Sequence, residues 1–380
     1  MTIHDRSRAD QDSQATVQER DHLSLRTKLL FSTGDLSTSI PLAIVMFYQL
    51  YFLTDVAGLP PSMAACAVGI GRIWDAVNDP LFGLIADRIR SPWGRRRVLL
   101  LFGAVPLGVS FAMMWLVPPW KPLALTAYYA LAFILFDTVF TAVHVGFNAL
   151  TPEMTPDYDE RSSLNGYRMV FSIAGTLGAI ILVTILGWLV SDTQVLYTLA
   201  GLILGLAAIF PPLIVFSVTR ERPSGELPES LPPREALRAT LGNRPFRWVM
   251  GLYLLSWTAA SILAATLVYF ANYYLGVPDQ ANYFVLAAQG AAILFIPLIV
   301  WLARRLDKRR AFIIGTLTWI MVLLGISVLA PHQVSLAYVL AVLAGLGIAT
   351  AYVIPWSMVP DVTDYDAVKT SRRREGSFYA

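Results

Sequence analysis

Ten apolar stretches, each about the length of a bilayer crossing, follow one another along the chain, and this pattern limits the fold more than any other feature. A hydrocarbon core about 30 Å thick needs about 20 mostly apolar residues per helical span. A span-sized hydropathy window places helices at 29–56, 61–87, 97–118, 122–150, 165–190, 195–218, 246–275, 280–303, 311–330 and 335–360. Backbone groups cannot be left unpaired in lipid, so the expected class is all-α membrane protein, with no strands. Gly34, Pro41, Pro80, Gly83, Pro297 and Pro355 fall inside these stretches and predict bent or broken helices. Of the 380 residues, 56% are hydrophobic and 14% charged, a balance that belongs to the membrane class. Cys66 is the single cysteine, so no disulfide framework or cysteine metal site can be built.

Charge placement gives the expected topology. Arg88, Arg90, Arg95, Arg96 and Arg97 follow the second stretch, and Arg304, Arg305, Lys308, Arg309 and Arg310 follow the eighth. The loops at 55–61, 191–194, 276–282 and 331–335 hold no Lys or Arg, and Lys121 alone marks the one after the third. The positive-inside rule then puts the N-terminus in the cytoplasm of a multi-pass inner-membrane protein. The polar residues 1–27 read as a disordered cytoplasmic arm without a secretory signal. Residues 219–245 read as a cytoplasmic linker between a six-helix bundle at 28–218 and a second bundle at 246–380. The acidic-basic turn after helix 2 has a weaker echo after helix 8, which suggests a duplicated six-helix unit.

Charged groups inside a bilayer cost at least about 2.5–3.5 kcal/mol each, so those present are paired, hydrated or used. Asp75 and Asp79, with Arg72 and Asn78, lie three and four apart on helix 2 and so share a face. Two carboxylates within reach of each other form a hard-oxygen site for Na⁺ or a shared proton; an ion pair with Arg72 is the alternative. Asp137, Thr141, His144 and Asn148 define a face of helix 4, where His144 could relay a proton, bond a solute hydroxyl or simply pack. Asp35 and Ser39 on helix 1, Arg168 on helix 5, Trp356 on helix 10 and the mixed polar and aromatic residues Tyr253, Ser256 and Trp257 on helix 7 complete the candidate solute or coupling set. Asp87 beside Arg88, Arg95 and Arg96 reads as a charge latch that opens and closes with a transport cycle. No His/Cys constellation or nucleotide loop suggests an enzyme, and no nucleic-acid partner or cofactor is implied.

The segments Thr54-Asp55-Val-Ala-Gly58-Leu, Arg72-Ile-Trp74-Asp75-Ala-Val-Asn78-Asp79-Pro80, Arg90-Ser-Pro-Trp93-Gly94-Arg95-Arg96-Arg97 and Asp361-Val-Thr-Asp364-Tyr365-Asp366 through Arg374-Glu375-Gly376 resemble the glycoside-pentoside-hexuronide:cation symporters, the melibiose permease group of the major facilitator superfamily. The resemblance implies a major facilitator fold of two six-helix bundles, with a solute bound between halves that rock about it. It assigns Na⁺ or H⁺ binding to Asp75 and Asp79, and makes Lys369 and Arg168 charged partners near sugar and cation. Ser39 and His144 stand where that group carries acids, which points away from melibiose-like specificity and raises proton coupling. A related branch moves lysophospholipids with Na⁺. The expected partners are a small solute, a coupling cation and the lipid bilayer, with the chain acting as a monomer. Ala380 falls where an eleventh helix would begin, so the second bundle is expected to lack helices 11 and 12; a non-transporting scaffold or sensor is the reading from a different class.

Overall fold

The computed structural model describes residues 23–155, 157–219, 221, 242–331 and 333–370. The arm at 1–22, most of the linker and the Arg374-Glu375-Gly376 motif lie outside the described residues. Ten long helices occupy the ten expected stretches: α1 (Leu25–Val56), α2 (Pro61–Arg88), α3 (Arg97–Met113), α4 (Pro122–Met154), α5 (Tyr158–Leu189), α6 (Thr193–Val218), α7 (Arg244–Tyr274), α8 (Ala281–Leu306), α9 (Lys308–Ser327) and α10 (Val334–Thr370). Among the described residues there is no strand. Eight of the ten are long and apolar enough to cross a membrane outright. α3 is shorter, and α2, at 28 residues, is long enough but carries the polar stripe of Arg72, Asp75, Asn78 and Asp79.

The helix starts are written locally. Asp157, Asp192, Asn243 and Asp307 each accept a hydrogen bond from the backbone N–H three residues on, satisfying a donor that the helix leaves open. Pro61 and Pro122 stand at the first helical position, where a missing N–H costs nothing. The expected irregularity in α1 is a 3₁₀ turn at Thr33–Asp35, and α1 and α7 both end in π-helical turns, at Phe52–Val56 and Phe270–Tyr274. Pro41, Pro80 and Pro297 sit inside helices that continue past them.

The described residues form two compact units. The first holds α1, apart from Met46–Tyr51, with α2–α6; the second holds α7–α10 with Met46–Tyr51. In the first, α2 packs on α4, and α3 on both α4 and α6. Its centre is aromatic: Phe52 and Trp115, 0% and 1% exposed, lie 5.0 Å apart between ring centroids, and Tyr197 stacks on Trp115 at 5.9 Å. α3 and α6 touch through glycines, since a Cβ on Gly205 would lie 2.6 Å from the Gly108 carbonyl oxygen. In the second unit α10 packs on α8 and α9, and Gly345 meets the α8 backbone at Ala288 and Ala292 as closely. Small residues bring membrane helices into contact when apolar surface gains nothing by leaving lipid. The outward faces agree: Leu255 and Leu294 are 74% and 79% exposed, a distribution suited to lipid rather than water.

Candidate functional site

The polar residues of the first unit gather along one face of α4. At one end of that face lies the α2 stripe. Asn78, 1% exposed, donates through Nδ2 to the Asp137 carboxylate Oδ2 at 3.1 Å and to the Asp137 carbonyl at 3.2 Å. Asp137 is 6% exposed, and Asp75 lies near enough for the two carboxyls to interact. One turn further along α4, the Thr141 hydroxyl donates to Asp79 Oδ1 at 2.9 Å. Trp74 Nε1 donates to Thr138 at 2.9 Å and fixes the rotation of α2 against α4. Arg72 does not form the ion pair considered from the sequence; its guanidinium sits over the Phe133 ring, 5.7 Å from the centroid. Among the described residues no Lys or Arg is paired with Asp75, Asp79 or Asp137.

Further along the same face the chemistry changes sign. Arg168 of α5 is clamped by Asp35 of α1, with Nε to Oδ2 at 2.8 Å and Nη2 to Oδ1 at 3.1 Å. Its remaining bonds run to α4, from Nη1 to the Thr151 hydroxyl and from Nη2 to Asn148 Oδ1, each at 2.7 Å. The guanidinium also lies 4.4 Å from the Phe147 ring centroid. Asp35 sits in the 3₁₀ turn, and the neighbouring Gly34 leaves room for Phe147, whose ring a Cβ would meet at 2.4 Å. Asn148 Nδ2 is 2.8 Å from His144 Nε2, and the His144 ring lies parallel to Phe140 at 5.8 Å.

The expected residues therefore separate into groups. Asp75, Asp79 and Asp137 meet at α2 and α4. Asp35, His144, Asn148 and Arg168 form a second cluster at α1, α4 and α5. Ser39 is buried against α5, its hydroxyl in the notch left by Gly175, where a Cβ would come within 2.2 Å. Trp356 belongs to the second unit, half exposed and edge-on to Tyr253 at 5.7 Å; Trp257 lies between Tyr253 and Tyr352 at 6.0 and 5.1 Å. Lys369 continues α10 and Asp87 ends α2, but the side chains of both lie outside those described. Arg88 is exposed at the last turn of α2.

The acid that holds the basic loop is one that sequence reasoning missed. Glu221, just past α6, accepts from the backbone N–H groups of Arg95, Arg96 and Arg97 at 2.6, 2.7 and 2.8 Å. Gly94 at φ +99° lets the loop close around that carboxylate, and Arg97 Nη2 returns to the Phe216 carbonyl at 2.7 Å. Only its place in an acidic-basic run after a span hinted at this role. Among the described residues no three His, Cys, Asp or Glu side chains are gathered closely enough to hold a metal ion. A cation at Asp75 and Asp79 would accordingly draw on neutral oxygens such as those of Asn78 and Thr141.

Long apolar helices, an α2 whose carboxylates lie toward α4, and the matching π-helical turns that close α1 and α7 are the features of a multi-pass membrane transporter of the major facilitator type. Residues 30–380 match the family described as MFS/sugar transport protein, and the chain belongs to it. It is 34% identical to an uncharacterized symporter of Synechocystis sp., covering 97% of this chain and 83% of that one. It is 28% identical to a putative glycoside/cation symporter of Escherichia coli (94% and 78% covered) and 28% to the sodium-dependent lysophosphatidylcholine symporter 1-A of Danio rerio (96% and 75%). The crystal structure of the nucleoside transporter NupG superposes with a TM-score of 0.61 at 16% identity, covering 93% of this chain and 86% of that one, a likeness of fold.

Proposed function

We propose that this chain is a cation-coupled symporter of the inner membrane that takes up a neutral glycoside-like solute by alternating access, with Na⁺ or H⁺ as the coupling ion. The observation that carries this reading is that Asp75, Asp79 and Asp137 lie along the α2–α4 seam near enough to feel one another's charge, with Asn78 bonded to Asp137 and Thr141 bonded to Asp79. Carboxylates at membrane depth without a basic partner persist where a mobile cation neutralises them in turn. A coupling ion must also leave, and few charged ligands supplemented by neutral oxygens hold it weakly enough for that. Differential binding of the ion to the two access states then couples its gradient to the solute. Arg88, Arg95 and Arg96 with Asp87 serve as the cytoplasmic latch in this reading, and Glu221 holds the loop that bears two of those arginines. The N-terminus lies in the cytoplasm, the working unit is a monomer, and the transport cycle needs no covalent chemistry or cofactor.

A lysophospholipid solute is the second reading, favoured by the similarity to the Danio rerio symporter. Proteoliposomes given an inward Na⁺ or H⁺ gradient separate the two when offered radiolabelled methyl galactoside or lysophosphatidylcholine. Uptake that needs the ion gradient and vanishes in Asp75→Asn and Asp79→Asn is the expected result. Equal uptake in those variants would remove the cation assignment, and no uptake of any solute under any gradient would leave the scaffold reading in its place.

A further inference from the structure

Arg168 is a pure donor, and that fact propagates through the network. A guanidinium has no acceptor atom, so the Asn148 atom 2.7 Å from Arg168 Nη2 is the carbonyl oxygen Oδ1. The amide NH₂ of Asn148 therefore faces His144, and Nδ2 donates to His144 Nε2 across 2.8 Å. A ring nitrogen that accepts holds a lone pair, so the neutral imidazole carries its proton on Nδ1. This is the tautomer that free histidine disfavours in water. His144 Nδ1 is buried and has no acceptor among the described residues. A buried donor left without an acceptor is costly, and such a group calls for an explanation.

The geometry points to a relay in which Asp35 and Arg168 orient Asn148, Asn148 sets the His144 tautomer, and the resulting Nδ1–H reads an acceptor oxygen on the solute. Arg168 and Asn148 are then positioning residues, and Arg168 is not itself a ligand. It makes four hydrogen bonds and is neutralised by Asp35, so an incoming carboxylate or phosphate would find no spare positive charge on Arg168. A neutral hydroxyl or ether oxygen suits a neutral N–H donor, which narrows the solute class to uncharged glycosides or polyols over uronates. His144 stands one turn of α4 beyond Thr141, the partner of Asp79, so a hydroxyl held there lies next to the proposed cation site. This solute assignment rests on the symporter reading; the tautomer does not.

The relay is tested by solid-state NMR of the full chain labelled with ¹⁵N-histidine in lipid, with His144→Asn assigning the signal among the four histidines. His144 is expected to show a protonated Nδ1 and a bare Nε2. In Asn148→Asp the carboxylate accepts from both neighbours, and the proton should move to Nε2. A wild-type His144 protonated at Nε2, or one unmoved by Asn148→Asp, overturns the relay. For the solute, methyl galactoside and galacturonate are titrated in calorimetry at saturating Na⁺. Asparagine places its amide nitrogen near His Nδ1 and glutamine near Nε2, so His144→Gln should weaken glycoside affinity about tenfold more than His144→Asn does. Equal affinity in both variants, or tighter binding of galacturonate than of the glycoside, overturns the solute assignment. Should wild type bind neither sugar, the glycoside reading fails, while the ring-nitrogen signals still decide the relay.

Discussion

At the scale of single residues, the Asp35–Arg168 pair is the most exposed to error by mutation. Both side chains are largely buried, 13% and 15% exposed, and removing one partner strands the other. Arg168→Met should lower stability by about 3–5 kcal/mol, whereas the double change Asp35→Leu with Arg168→Met should cost much less, because no uncompensated charge remains. Thermal melting of the purified variants in detergent measures both. The proposed cation site predicts a smaller, functional effect: Thr141→Val removes the hydroxyl that donates to Asp79 while preserving shape. Loss of about 1 kcal/mol would appear as a roughly fivefold weaker Na⁺ affinity with little change in melting temperature. An unchanged affinity would detach Thr141 from the ion.

At the scale of elements, contacts between helices depend on what is missing from side chains as much as on what is present. Gly205→Ala sets a Cβ 2.6 Å from a backbone carbonyl of α3, and neither atom can swing aside. The two helices must part, at a cost of about 1–3 kcal/mol. Gly251→Ala in α7 meets nothing within 4 Å, and there the change should be neutral or stabilising by about 0.5–1 kcal/mol. A melting series across both positions checks the contrast. Glu221 acts on the N-terminus of α3, where open N–H groups carry partial positive charge. Glu221→Ala should cost about 1–2 kcal/mol and raise hydrogen exchange at Arg95–Arg97, and unaltered exchange there would show that the carboxylate does not hold the loop in solution.

At the scale of the whole molecule, the two halves repeat a corner atom for atom. Ala57 N–H bonds to Phe52 O and Leu59 N–H to Leu53 O; Leu275 N–H bonds to Phe270 O and Val277 N–H to Ala271 O, 218 residues further on in every case. Both π-turns are followed two residues on by a left-handed glycine, Gly58 at φ +72° and Gly276 at φ +69°, and two residues beyond each glycine stands a proline, Pro60 or Pro278. The same backbone fold should carry the same penalty. Ala at either glycine is expected to lower stability by about 1–2 kcal/mol, and a large disparity between the two would separate the corners physically.

The chain order of the helices, their number and the shared faces of α2 and α4 were legible in the sequence, because hydropathy is summed over some 20 residues and survives local irregularity. So was the placement of Asp75 and Asp79 one turn apart in a single continuous helix, since spacing alone puts them on one face. What lay beyond the sequence depended on how each helix is rotated and which distant residue it meets. Spacing allowed Arg72 to pair with Asp75, and packing laid it on Phe133 instead. Ser39 counted as a solute contact by position, yet Gly175 admits it into the α1–α5 seam. Glu221 reaches Arg95–Arg97 across more than a hundred residues, a distance over which no periodicity carries information. Bilayer physics dictates that helices form and where they end. Which polar atoms find one another is decided only when the helices close on each other, because hydrogen bonds act over about 3 Å and a modest turn of a helix exchanges one partner for the next.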